Sequence, residues 1–150
     1  MVVDNFYGRS VFFVEDAERS LAFYTGTLGF TLDWNHQERG RAFVFQVSLF
    51  GFQLILNQTD SGTQPRAGHG RLFVGLDDEQ MSVLRGHISA REIETTVLNW
   101  GAPTLLLRDP DGNELLFSLP RSEWASWERE LAKQSTAQGP LPGSVVRGAE

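Results

Sequence analysis

The sequence predicts an α+β fold: two tandem βαβββ modules that together lay out an eight-stranded curved sheet with a groove. Two observations carry this. The block "RSVFFVED" at 9–16 is shadowed by "RLFVGLDD" at 71–78, a constant offset of 62 positions. After each block comes one helical stretch and then three short apolar runs bounded by Gly-rich turns. One such unit buries a single sheet face and needs cover for the other, so two units side by side make a concave groove.

Each element has a local reason. Residues 9–14 alternate as a strand. Asp16 can cap a helix over about 17–28, with Arg19 and Ser20 on its exposed side. Leu21, Phe23, Tyr24 and Leu28 supply the apolar face, and Gly29 ends it. "FTLDW", "RAFVFQVSL" and "FQLILN" are three strands, the last two joined through Phe50 and Gly51. The polar stretch "QTDSGTQPRAGHG" at 58–70 is a linker. The second copy has a strand at its start and a helix after Asp78, over about 79–90, weakened by Gly86. The strands "REIETTVLNW", "TLLLRD" and "ELLFSL" follow, with Gly112 before its strand as Gly51 is before its own. These units span 8–57 and 70–119, within a folded body at 1–120. Residues 121–150 add a helix "EWASWERELAKQ", which Ser122 can cap, and a tail "STAQGPLPGSVVRGAE". Trp124, Trp127 and Leu131 share one face of that helix at i, i+3 and i+7, which suits docking on the body or contact with a partner.

Composition narrows function. The 150 residues suit one domain or two small halves sharing a core. Eleven Phe and four Trp can serve as core or as ligand walls. A formal charge of −6 opposes nucleic-acid binding and permits attraction of a cationic ligand. With no Cys, thiol catalysis, disulfides and Cys-based zinc sites are excluded. No secretory signal and no apolar run of membrane-spanning length is visible, so a cytoplasmic location is the expectation. No phosphate loop, dinucleotide fingerprint or G-x-S-x-G nucleophile motif occurs. The adjacent acids Glu15–Asp16 and Asp77–Asp78 sit at helix starts, where capping accounts for them. His36, His69 and His87 lack ligand spacing.

"FYTGTLGFTLDW" and "WGAPTLLLRDPDGNELLF", with the repeated module, resemble the vicinal oxygen chelate superfamily over about residues 8–119. That group holds glyoxalase I, extradiol dioxygenases, fosfomycin-modifying enzymes and bleomycin resistance proteins. The turn "DPDGN" stands on its own physics. Pro110 fixes φ, Asp109 can accept from following backbone N–H groups, and Gly112 and Asn113 tolerate positive φ. Its work is to set the register of the strand after it.

The resemblance implies four inward metal-ligand positions in the metal-dependent members. They fall here on Arg9, Arg71, Leu116 and either Ile55 or Gln53. Arg stays cationic and is no ligand for a divalent ion, and Leu and Ile have no donor. A divalent catalytic site needs about three protein ligands. A rebuilt site from Gln53, His69 and Glu114 is the alternative, since Glu114 shares a strand face with Leu116. No cofactor is expected.

The resemblance then narrows toward bleomycin resistance proteins. It implies a homodimer with ligand clefts and sequestration of a small molecule of the bleomycin type, without chemistry. Asp33 and Trp34 in "LGFTLDW", and Trp100 and Gly101 in "NWGAPTLLLRDPDGN", fall in the segments that line such a cleft. A planar heteroaromatic can stack on Trp34 or Trp100, and a cationic tail can meet Asp33. Arg9 and Arg71, if inward, instead suit a carboxylate. The expected ligand-contacting set is therefore Asp33, Trp34, Trp100, Gly101, Arg9, Arg71, Gln53 and Leu116. The rival functions are a metal-dependent lyase, isomerase or dioxygenase of the same superfamily, and a partner-binding module working through Trp124 and Trp127.

Overall fold

The computed structural model describes residues 8–59, 65–99 and 101–138, with residues 134–138 described as helical backbone only. Trp100 and the tail beyond 138 lie outside the described residues.

The chain runs β1 (Ser10–Val14), α1 (Ala17–Ala22), β2 (Thr31–Glu38), β3 (Arg41–Leu49) and β4 (Phe52–Gln58). It repeats this order as β5 (Arg71–Gly75), α2 (Asp78–Ala90), β6 (Thr96–Asn99), β7 (Pro103–Arg108) and β8 (Glu114–Ser118), and ends in α3 (Arg121–Gln138). The eight strands divide into two four-stranded sheets, β1-β4-β3-β2 and β5-β8-β7-β6, which are the two βαβββ modules. In each, the first strand runs parallel to the fourth and the other pairs are antiparallel.

Local chemistry sets most boundaries as the sequence predicts. Asp16 accepts the Arg19 N–H at 3.0 Å and starts α1. The predicted helix over 17–28 changes character midway: after Ala22 it widens into a π turn over Phe23–Thr27, with Leu28 N–H bonding Phe23 O. Gly29, at φ +80°, then turns the chain. A Cβ there would collide with the His87 imidazole, so glycine lets α2 approach, and His87 is half-buried rather than free on the surface. The cap of α2 is Asp77, one residue before the expected Asp78. Asp77 and Gln80 exchange the two bonds of a capping box.

Three expectations need correction. Ser20 is fully buried, because its hydroxyl reaches Asp111 at 3.3 Å instead of facing water. The strand expected over 91–100 is confined to Thr96–Asn99. Arg91 and Ile93 bond back to the end of α2, and Glu92 takes a positive φ, so the start of that run closes the helix. The last helix begins at Arg121, ahead of Ser122, whose hydroxyl bonds Asp78 rather than capping. The α3 face carrying Trp124 and Trp127 is half-buried. Trp124 Nε1 donates to Leu119 O at 2.9 Å, and Glu123 pairs with Arg85 of α2. Among the described residues, no helix is long and apolar enough to cross a membrane.

One core serves both sheets. Phe12, Val14, Leu54 and Leu56 from the first join Leu105, Leu107, Leu115 and Phe117 from the second, with Tyr24 and Leu28 of the α1 region and Met81 and Leu84 of α2. Tyr24 and Phe30 meet edge to face at 5.2 Å between centroids. The tie between halves is polar. Asp109, 5% exposed, accepts from the Asp111 and Asn113 N–H groups and Asn113 Nδ2, each at 2.9 Å, and from Tyr24 Oη at 3.0 Å. Asn113, fully buried, also donates Nδ2 to Phe13 O at 3.1 Å and accepts Gly70 N–H at 2.7 Å. Arg19 and the Glu15 N–H both reach Asp111 at 3.0 Å. The motif turn of one module is thereby fastened to the first strand and helix of the other.

Removing one member tests this knot. Tyr24→Phe deletes a buried charge-assisted bond and should cost about 1–2 kcal/mol; Asn113→Ala strips three bonds and should cost about 3 kcal/mol or more. Thermal unfolding measures both, and equal small losses would show that the network carries no inter-module weight.

Burial raises the Asp109 carboxyl above its ordinary value, although its hydrogen bonds act the other way. The folded state therefore binds this proton more tightly than the unfolded chain. The contribution is fully present below the unfolded value and is lost as pH rises through the folded one. The stability difference between the parent protein and Asp109→Asn should thus shift in the parent's favour as pH falls through that window. A difference independent of pH would contradict the shift.

Candidate functional site

Alternation decides which side chains leave the shared core. In β1 and β4, Phe12, Val14, Leu54 and Leu56 face the core, so Arg9, Val11, Gln53 and Ile55 face the opposite, concave side. In β5 and β8, Leu72, Val74, Leu115 and Phe117 pack on the core, which turns Arg71, Phe73, Glu114 and Leu116 to the concave side. Val11, Trp34 and Phe73 are each at least 40% exposed, an unusual placement for large apolar side chains and one that suits a ligand wall or an interface.

The two arginines are held by matching bonds. Arg9 Nε donates to Gln53 Oε1 at 2.9 Å, and Arg71 Nε donates to Glu114 Oε1 at 3.2 Å. Arg71 Nη2 reinforces the second contact at 2.9 Å, and Arg108 Nη2 holds the other Glu114 oxygen at 3.2 Å. Glu114 is thus clamped between two guanidinium groups, which oppose a bound cation electrostatically. His69 is exposed in the loop before β5. Among the described residues, no three His, Asp or Glu side chains gather in a way that could hold a metal ion. The residues at the metal-ligand positions do not fit a divalent ion.

The other end of the first sheet carries a different group. A register shift in β2 between Leu32 and Trp34 leaves Asp33 as the extra residue of a bulge. Its side chain turns to the concave side, where Gln46 Nε2 meets Oδ2 at 2.9 Å and Ser48 Oγ meets Oδ1 at 2.8 Å. Trp34 pairs with Gln46 across the ladder, so the indole stands on the same side as this carboxylate. Gln46 is 2% exposed, and its Oε1 is a buried acceptor with no partner among the described residues. Facing Asp33 with Nε2 forces that oxygen away from the anion. The result is an ordered carboxylate beside an exposed aromatic, able to receive a cationic or N–H-donating group.

A cleft of about 650 Å³ opens at the seam between the start of β1, the β3–β4 turn and the end of β5. Arg9, Gln53, Leu72 and Phe73 line it, with Gly51 and Gly75 leaving it open. Leu116 pairs beside Phe73 and Leu106 on that side but is 1% exposed, so it is covered and, contrary to expectation, offers no surface to a ligand. Gly101 is exposed at φ +76° in the connection between β6 and β7. Trp100 lies outside the described residues. The expected set therefore separates into an Arg9–Gln53 group, an Arg71–Glu114 group and an Asp33–Trp34 group. Sequence reasoning missed Gln46, Ser48, Phe73 and Arg108. The polar Gln46 and Ser48 inside the apolar run "RAFVFQVSL" were a usable signal. The role of Arg108 depends on cross-strand register and had none.

No curated protein matches the sequence. Solved structures share the fold. A bleomycin-binding protein from bleomycin-producing Streptomyces verticillus, complexed with copper(II)-bleomycin, aligns with a TM-score of 0.62 at 20% identity, over 80% of this chain and 100% of its own. TnmS3, an antibiotic binding protein from Streptomyces sp. CB03234, aligns at 0.59 and 22%, over 80% and 99%. Lactoylglutathione lyase from Agrobacterium tumefaciens aligns at 0.56 and 18%, over 78% and 95%. Binders and an enzyme thus share this architecture, and identities this low speak for fold alone. The family described as Glyoxalase/Bleomycin resistance protein/Dioxygenase superfamily matches residues 7–117. With its duplicated βαβββ sheets and that match across most of its length, the chain belongs to this superfamily.

Proposed function

We propose that the protein binds a small molecule of the bleomycin type and acts by sequestration. The observation that carries this is the Asp33–Trp34 group: a carboxylate oriented by Gln46 and Ser48, next to an indole 40% exposed on the concave side. A flat heteroaromatic stacks on Trp34, and a cationic tail meets Asp33. The arginines at the metal-ligand positions support binding without metal chemistry. The antibiotic-binding neighbours are consistent with such a role, and antibiotic resistance would be its consequence.

A homodimer is part of this reading. All eight residues of β2 are exposed, including Leu32 and Trp34, and β2 is an outer edge of its sheet. A long edge with exposed apolar side chains favours cover by another chain, and a second copy would close the groove over Trp34.

Bleomycin should quench the tryptophan fluorescence, and Trp34→Ala should weaken binding about tenfold, the scale of one lost aromatic contact. Unchanged affinity would remove Trp34 from the site. Light scattering should give twice the 16.8 kDa chain mass. Elemental analysis of the purified protein should find no stoichiometric divalent ion; finding one would favour the lyase, isomerase or dioxygenase alternative.

A further inference from the structure

The two halves treat equivalent arginines differently. Arg9 and Arg71 occupy matching places in the repeat, and each points Nε at the first inward side chain of its neighbouring parallel strand. In the second half that side chain is Glu114, whose carboxylate is shared between Arg71 and Arg108, so Arg71 is ion-paired. In the first half it is Gln53, an amide. It orients Arg9 through Nε and, being neutral, brings no charge to offset the guanidinium. Among the described residues, Arg9 takes part in no ion pair.

That charge borders the cleft of about 650 Å³ at the seam. The opposite wall holds Leu72 and Phe73, and Phe73 is 46% exposed. A Cβ built at Gly51 or Gly75 would meet nothing within 4 Å, so both glycines border open space. With Nε engaged, the Nη edge of the guanidinium remains for a second planar partner, the geometry a carboxylate matches. Arg9, just before β1, and Asp33 on β2 lie at opposite edges of one sheet, three strand spacings or about 14 Å apart across it. Opposite charges thus stand at the two margins of the same concave face.

We propose that Arg9 and this cleft form a carboxylate-binding subsite for a small molecule with a flat apolar body, which lies against Phe73. The subsite deepens the small-molecule reading of the groove and does not require the ligand at Trp34 to be an antibiotic.

The test is calorimetric titration of the full chain with 2-naphthoate and with its neutral counterpart 2-naphthamide. Naphthoate should bind at least ~10-fold more tightly, the scale of one charge-assisted pair. Arg9→Gln should abolish that preference. Gln53→Glu should abolish it too, because it keeps the guanidinium but supplies the carboxylate that Glu114 supplies to Arg71. Arg9 is exposed and Gln53 half-buried, and an unchanged melting temperature confirms intact folding of each variant. Equal affinity for the two probes, absence of naphthoate binding, or full preference in Arg9→Gln overturns the subsite. Failure of bleomycin to quench Trp34 in the parent protein overturns the sequestration reading alone, and the naphthoate preference is measured independently of it.

Discussion

The buried carboxylate of Asp109 is the constraint on which the rest of the architecture depends. A charged group at 5% exposure is tolerable only with full hydrogen bonding, and this one has four donors. Three come from its own turn and shape it. The fourth, Tyr24 Oη, comes from the helical segment of the other module. Asn113 then carries the connection to Phe13 and Gly70, at the inner strands of both sheets. Burial also pushes the Tyr24 hydroxyl well above its usual value, with the Asp109 charge acting in the same direction, so it remains a donor. The two most recognisable stretches of sequence are therefore two ends of one polar contact.

With that knot in place, the concave face follows from strand parity. Each strand gives alternate residues to the shared core, and whatever lies between must face the groove. Duplication makes the two halves similar at this level and leaves them free to differ in side-chain chemistry. The second half has closed its inward charges into an Arg71–Glu114–Arg108 cluster. The first half keeps one cation beside an amide at its inner edge and one carboxylate at its outer edge. A scaffold with such a face can hold a metal, a drug or neither, and the side chains at a few inward positions decide which.

The bulge in β2 shows how small a backbone event reassigns a residue. One extra position between Leu32 and Trp34 lets both Asp33 and Trp34 serve the concave side, where strict alternation would separate them. Gln46 and Ser48 then hold the carboxylate in place. The cost is a buried Gln46 oxygen left without a partner among the described residues. Such cost is ordinary at sites where orientation is worth more than local satisfaction.

Much of this was determined by sequence alone. The repeat at 9–16 and 71–78, the apolar alternation and the "DPDGN" turn were enough for the two βαβββ modules, because these signals act over a few neighbouring residues. The arginines at the metal-ligand positions were legible for the same reason: a guanidinium is unsuited to a divalent ion in any setting. Tertiary structure alone decided the partners. That Ser20 is buried, that Glu114 is clamped by Arg108, that Arg9 meets an amide and Asp33 a buried glutamine all depend on contacts between residues distant in the chain. Local pattern can assign a side chain to a face. Only cross-strand register and the packing of one module on the other determine which charge stands next to it.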